Sequence, residues 1–168
     1  LEGIHLEGAG FTDADWSSIM GLPNLRSIYI GNAGADVTSI PDLSGMGSLE
    51  SINVYGEIAT LDLTHVRTVQ FINVGGGFLD TLSPNTGGSA TTEELRFSGE
   101  PNITDISAAA SLPNLRRIHA NSCGSLATGI RDLAALTNLE YLGVTGTAVD
   151  PDDLTYLQNA LPNLEIEY

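Results

Sequence analysis

The chain has 168 residues, with 21 acidic against 6 basic residues and a formal net charge of −15 at pH 7. Its length suits one domain, on a usual size of roughly 150 residues, and 42% hydrophobic content is enough for a buried core rather than disorder. All six basic residues are arginine, which excludes the basic face of a nucleic-acid binder and the clustered cations of an anionic-lipid binder.

A short pattern recurs along the chain: one apolar residue, two variable ones, an apolar, a variable, an apolar. It opens as LEGIHL at Leu1. A helix is predicted over residues 12–20, with Thr12 or Asp13 as its cap. LRSIYI follows from Leu25 and LESINV from Leu49. The return after Val54 is too short for a full helix, so an extended or one-turn path is predicted. VRTVQF is read from Val66 as the fourth copy. Residues 74–91 carry Gly75-Gly76-Gly77 and Gly87-Gly88 and are expected to form a mobile loop. TEELRF begins at Thr92, LRRIHA at Leu115 and LEYLGV at Leu139, with shorter helices predicted at 103–111 and 130–136. Asp150 followed by Pro151 marks the start of a helix over 150–160. A partial copy, LEIEY, starts at Leu164.

Two independent signals support the repeat. Leu22-Pro23-Asn24-Leu25 recurs as Leu112-Pro113-Asn114-Leu115 and as Leu161-Pro162-Asn163-Leu164, with Leu136-Thr137-Asn138-Leu139 a close variant. The eighth position reads Gly8, Asn32, Gly56, Asn73, Gly99, Ser122 and Gly146, all turn-formers where the chain must leave a strand. The pattern resembles the leucine-rich repeat, and the stretch from Ile103-Thr104-Asp105-Ile106-Ser107 to Leu115 resembles bacterial internalin-type repeats. The resemblance implies an α/β solenoid: a short horseshoe with a parallel concave sheet, a mixed helical and irregular convex side, and seven to eight repeats in one domain over 1–168. The ninth position departs from the family's Asn, reading Ala9, Ala33, Glu57, Val74, Glu100, Cys123 and Thr147, so a weak buried ladder is expected.

Positions one, four and six should face the core and the rest the concave surface. The second column reads Glu2, Arg26, Glu50, Arg67, Glu93, Arg116, Glu140 and Glu165, an alternation that in a parallel stack is expected to act as an ion-pair ladder. Five arginines thus fall on concave strands, and Arg131 is expected on the convex side, solvated. The third, fifth and seventh columns place Tyr29, Asn53, Tyr55, Gln70 and Ile72 in a neutral, partly apolar patch. They place Arg96, Arg117, His119 and Tyr141 in a basic-aromatic one. Tyr and Arg dominate protein interfaces, so these nine residues are the candidate ligand-binding set.

Little else suggests chemistry. Cys123 sits at a turn-ladder position and reads as a buried structural thiol. With one cysteine there is no internal disulfide, and no nucleophile–base pair is indicated. The three histidines show no zinc-ligand spacing, and Asp13-Ala14-Asp15 and Asp150-Pro151-Asp152-Asp153 are better explained as helix starts than as calcium ligands. Gly75-Gly76-Gly77 lacks the Lys and Ser or Thr of a phosphate loop. No catalytic residue, cofactor or metal is expected, and no apolar run nears the roughly 20 residues of a membrane span.

The expected function is non-enzymatic recognition of a protein, or a glycan, through the concave face. By the internalin resemblance this would be adhesion by a bacterial surface or secreted protein, with a host or cell-surface receptor as partner. The alternatives are a structural spacer in a larger surface protein and the targeting domain of an effector enzyme. Leu1, Ile4 and Leu6, and Leu164, Ile166 and Tyr168, should form uncovered end layers, covered either by caps in a parent protein or by end-to-end self-association.

Overall fold

In a computed structural model, described for residues 1–7, 10–31 and 36–168, eight strands form one parallel sheet. These are β1 (Gly3–Glu7), β2 (Ser27–Gly31), β3 (Ser51–Tyr55), β5 (Phe71–Gly75), β7 (Glu94–Arg96), β8 (Arg117–His119), β9 (Tyr141–Gly143) and β10 (Glu165–Glu167). They lie side by side in chain order, each a single repeat from the next. Two further strands, β4 (Thr60–Asp62) and β6 (Thr81–Ser83), pair in parallel as a separate sheet. The positions given above to Gly8, Ala9, Asn32 and Ala33 lie outside the described residues.

Sequence dictates this stack simply. A lone repeat cannot cover its own apolar residues, so neighbouring copies must cover them. Ile28 and Ile30, Ile52 and Val54, and Ile72 and Val74 are β-branched, suit extended backbone, and are all buried. Leu95, Phe97, Ile118, Ala120, Leu142 and Val144 continue the same two layers inward from the later strands. The exception is the first copy, where Leu1 is exposed and Ile4 and Leu6 are only half-buried. At the other end Ile166 is half-buried and Tyr168 exposed, whereas Leu164, expected to be uncovered, is buried.

Two register corrections follow from the pairing. Ser51 pairs with Phe71, Ile52 with Ile72 and Asn53 with Asn73, so the fourth copy is Val69-Gln70-Phe71-Ile72-Asn73-Val74, starting at residue 69 rather than 66. The intervals on either side become 20 and 23 residues, closer to the rest than 17 and 26. Asn73 and Val74 are therefore strand residues, and the eighth and ninth positions pass to Gly76, with φ +136°, and Gly77, with φ +82°. At the C-terminal end Glu165 pairs with Tyr141 and Ile166 with Leu142. The last copy is one residue shorter between Leu164 and the strand, which moves Glu165 from the second column to the third.

The return segments match expectation in most places. A 3-10 turn at Asp13–Asp15 leads into α1 (Trp16–Met20), with Thr12 and Asp15 capping each other's backbone. After β3 comes β4, then the single turn α2 (Leu63–Val66), so Val66, read as a strand start, is helical. 3-10 helices occupy Ser107–Ser111 and Arg131–Ala135, and α3 (Pro151–Ala160) carries Asp150 as its cap, accepting from Asp152 N. The stretch 74–91, read as a loop, instead contains the end of β5 and all of β6. It is tied down: Asp80 and Thr81 donate to Ala59 O, and Asn85 N donates to Ser111 Oγ.

Buried polar ties between repeats are stronger than the ninth column suggests. Glu100, only 1% exposed, accepts from Gly77 N at 3.0 Å and Leu79 N at 2.8 Å, fastening the turn of the preceding repeat. Cys123 Sγ donates to Phe97 O of the preceding repeat at 3.3 Å, whereas Thr147 Oγ1 bonds Val144 O within its own repeat. A second ladder runs through the residue just before each copy. Ser48 donates to Pro23 O, Thr91 to Thr68 O, Asn114 to Ala90 O and Asn138 to Pro113 O. Two of these donors are the Asn of a Leu-Pro-Asn-Leu phrase and of its Leu-Thr-Asn-Leu variant.

Candidate functional site on the concave sheet

Because side chains alternate across a strand, the third and fifth positions of every copy emerge side by side on the concave face. The third row is Gly3, Ser27, Ser51, Phe71, Glu94, Arg117, Tyr141 and Glu165. The fifth is His5, Tyr29, Asn53, Asn73, Arg96, His119, Gly143 and Glu167.

Contacts run along these rows almost without a break. His5 stacks on Tyr29 with ring centroids 4.3 Å apart and planes 4° apart. Tyr29 meets Tyr55 at 6.1 Å. Asn73 Nδ2 donates to Tyr55 Oη at 2.8 Å and to Asn53 Oδ1 at 3.2 Å. The Arg96 guanidinium lies 5.3 Å from the centre of the Phe71 ring and donates through Nε to Glu94 Oε1 at 2.6 Å. His119 packs 4.7 Å from Tyr141, whose hydroxyl donates to Glu167.

The tyrosines lie down on the sheet rather than standing from it. Tyr29 covers Gly31 so closely that a Cβ there would fall 2.5 Å from Tyr29 Cε1, and Tyr55 covers Gly75 at 2.8 Å. Small residues in these positions are therefore what lets the rings spread flat. Rings held this way lose little side-chain freedom when a partner settles on them, which lowers the ordering cost of association.

Electrostatically the face divides in two. Around β1–β5 it is mostly neutral and aromatic. Around β7–β10 it is charged, and two arginines are matched internally: Arg96 with Glu94 at 2.5 Å, and Arg116 with Glu140 at 2.5 Å. His119 Nε2 lies 3.1 Å from Glu94 Oε1, yet that buried nitrogen has no well-directed hydrogen bond. Burial, and next the Arg96 charge, hold the His119 imidazolium below its ordinary pKa, with Glu94 pulling the other way. The hydrogen bond to Glu167 raises the Tyr141 hydroxyl above its ordinary value. An open hollow of about 460 Å³ lies here, lined by Arg96, Arg117, His119, Glu140, Tyr141 and Glu165.

No protein-family model and no curated protein sequence matches the chain. Solved structures do. A leucine-rich repeat protein of Leptospira interrogans superposes over 100% of this chain and 37% of its own, at 14% identity and a TM-score of 0.56. The chain is a leucine-rich repeat solenoid. Internalin C2 of Listeria monocytogenes matches over 89% of this solenoid and 55% of its own chain, at 18% identity and a TM-score of 0.49. Human 5T4, trophoblast glycoprotein, matches over 86% of the solenoid and 69% of its own chain, at 14% identity and a TM-score of 0.48. The solenoid thus spans about a third of the Leptospira chain and about half of the internalin.

Seven of the nine candidate residues sit on the solenoid's concave face as expected. Tyr29, Asn53 and Tyr55 share one patch, and Arg96, Arg117, His119 and Tyr141 the other. Ile72 does not belong: it is 0% exposed and pairs with Ile52 in the core layer, because the fourth copy is displaced by three residues. Gln70 is exposed but belongs to the second column, at the edge of the sheet, not the fifth. Their places are taken by Phe71 and Asn73, both half-buried and both in contact with the rest of the site. One signal could have found them: Val69-Gln70-Phe71-Ile72-Asn73-Val74-Gly75-Gly76 fits the repeat and ends on glycine in the turn column.

The shift also dissolves the continuous charge ladder. Arg67 leaves the second column for the end of α2, where its guanidinium donates to Thr64 O, and uncharged Gln70 replaces it. What remains are the separate pairs Arg26–Glu50 and Arg116–Glu140. Four arginines, not five, line the concave strands. Arg131 is exposed, as expected, and there pairs with Asp153 at 2.5 Å and lies 5.0 Å from the Tyr156 ring centre.

Proposed function

We propose that this chain is a protein-recognition module whose partner lies across the concave sheet. The observation that carries the reading is a run of preset pairs on one face: Tyr29 with Tyr55, Phe71 with Arg96 and His119 with Tyr141. These are the side-chain types that supply most of the binding energy at protein interfaces. A solenoid curves such rows into an extended surface for one partner. Glycan is a weaker fit, since the charged half of the row is built for ionic partners. The internalin-type resemblance of residues 103–115 supports a bacterial surface or secreted setting, in which the partner is a receptor on another cell. No helix among the described residues is long and apolar enough to cross a membrane.

The test is the triple variant Tyr29→Ala, Tyr55→Ala, Arg96→Ala in the parent protein, assayed for adhesion or partner capture. Truncating central aromatic and Arg anchors costs about 2 kcal/mol or more each, so capture should fall by well over a hundredfold. Undiminished capture by a folded triple variant would sink the concave reading.

A further inference from the structure

We infer that the hollow over β8–β10 is a dipolar subsite, taking a partner segment that presents one carboxylate and one cation on the same face. This deepens the concave reading above and rests on it.

The inference starts from which charges are left over. Among the described residues five arginines already have partners: Arg26 with Glu50, Arg67 with Thr64 O, Arg96 with Glu94, Arg116 with Glu140 and Arg131 with Asp153. The Arg117 guanidinium has neither an ion pair nor a hydrogen bond to any described residue, and it is exposed at the hollow. Across the same hollow, Glu140 is matched by Arg116, whereas exposed Glu165 has no cation. The hollow therefore holds one unmatched charge of each sign.

Their separation is set by the sheet. Arg117 pairs with Tyr141, and Tyr141 with Glu165, so they are two strand steps apart, about 10 Å between backbones. Tyr141 is the strand residue between them, and its ring lies over Gly143, held by its hydroxyl's bond to Glu167 and by packing on His119. Arg offers a planar fork of donors that a carboxylate fills with two parallel hydrogen bonds. Glu165 on the far side takes an ammonium or guanidinium. A purely acidic ligand would meet the −15 field of the whole molecule, and a purely basic one would leave Arg117 facing a like charge. A segment with both charges escapes both penalties. In a polyproline II segment, with three residues per turn, residues three apart share a face and are spaced by about 9 Å, which matches the site.

The experiment titrates the uniformly ¹⁵N-labelled chain with acetyl-Glu-Ala-Ala-Lys-amide, and with its Gln-for-Glu and Gln-for-Lys analogues. Amide shifts are followed by NMR. The expected result is that shifts centre on residues 117–119, 141–143 and 165–167. The doubly charged peptide should half-saturate at about a fivefold lower concentration than either analogue. Arg117→Gln should erase the contribution of the peptide's Glu, and Glu165→Gln that of its Lys. Both positions are exposed, so neither change threatens folding. Equal affinity for all three peptides, or no shifts at millimolar peptide, overturns the subsite. Shifts centred on β2–β5 instead overturn the subsite while leaving recognition by the concave face standing.

Discussion

Glu100 offers a sharp test of how the repeats are held together. A carboxylate that is 1% exposed is costly to bury, and here it is retained because it accepts from both Gly77 N and Leu79 N of the preceding repeat. Glu100→Ala would leave those two buried N–H groups without an acceptor, at roughly 1–3 kcal/mol each. Relief of the carboxylate's own desolvation offsets part of that, for a net loss of about 2–3 kcal/mol. For a chain of this size, about 2–4 °C per kcal/mol gives a melting point lower by about 5–10 °C. Glu100→Gln keeps one acceptor oxygen but turns an NH₂ group toward a donor, so about half the loss is expected.

The assay is urea unfolding followed by circular dichroism, with hydrogen exchange read at single amides. Because each repeat contacts only its neighbours, damage should stay local: Gly77 and Leu79 exchange faster, while amides of Ile28 and Ile30 in β2 keep their protection. If Glu100→Ala unfolds within about 0.5 kcal/mol of wild type and Gly77 and Leu79 exchange no faster, the reasoning is wrong.

The corrected register of the fourth copy predicts opposite outcomes at neighbouring positions: Ile72→Asn should cost about 3 kcal/mol or more, and Gln70→Glu under about 0.5, by urea midpoint. Burial pushes the Cys123 thiol up and leaves it 0% exposed, so the native chain should resist a thiol reagent and titrate one thiol only in denaturant. The His119 imidazolium is disfavoured in the fold, so its contribution to stability is intact above the ordinary value of 6.5 and is lost as pH falls below it. Between pH 7.5 and 5.5, wild type should therefore lose more stability than His119→Gln, by urea midpoint. At Asp42 hydrogen bonds from Ser44 lower the pKa, so the contribution of that turn is present above 3.8 and lost below it. Asp42→Ala should accordingly flatten the acid limb of the unfolding curve below about pH 4.

Most of the stack was legible because apolar periodicity and burial are the same fact seen twice. Leu25, Ile28 and Ile30, or Leu115, Ile118 and Ala120, can be assigned inward from spacing alone, and all are buried. Turn chemistry and caps were equally legible at Thr12 and Asp150. The failure at the fourth copy has a physical cause. Val66 and Val69 are both buried, one from the turn α2 and the other from the segment leading into β5, so an apolar-position test cannot choose between them. Either register also supplies two more apolar residues in the right places. The role of Glu100 was hidden for a different reason: an acidic residue in a column that expects Asn reads as a defect until its two donors, from another repeat, are seen.

The misreading at the fourth copy did not propagate, and the reason bears on function. Each copy finds its own register from its own apolar triplet, so displacing one changes only the residues it presents. What it changes is the middle of the face. With Ile72 outward the two patches would be separated by an aliphatic side chain and an amide. With Phe71 and Asn73 there, Asn73 ties back to Tyr55 and Asn53, while Phe71 carries the Arg96 guanidinium. The neutral aromatic half and the charged half are thus joined through β5. A partner that anchors on Tyr29 and Tyr55 reaches Arg117 across a surface that is already ordered, so energy gained at one half is not spent organising the other.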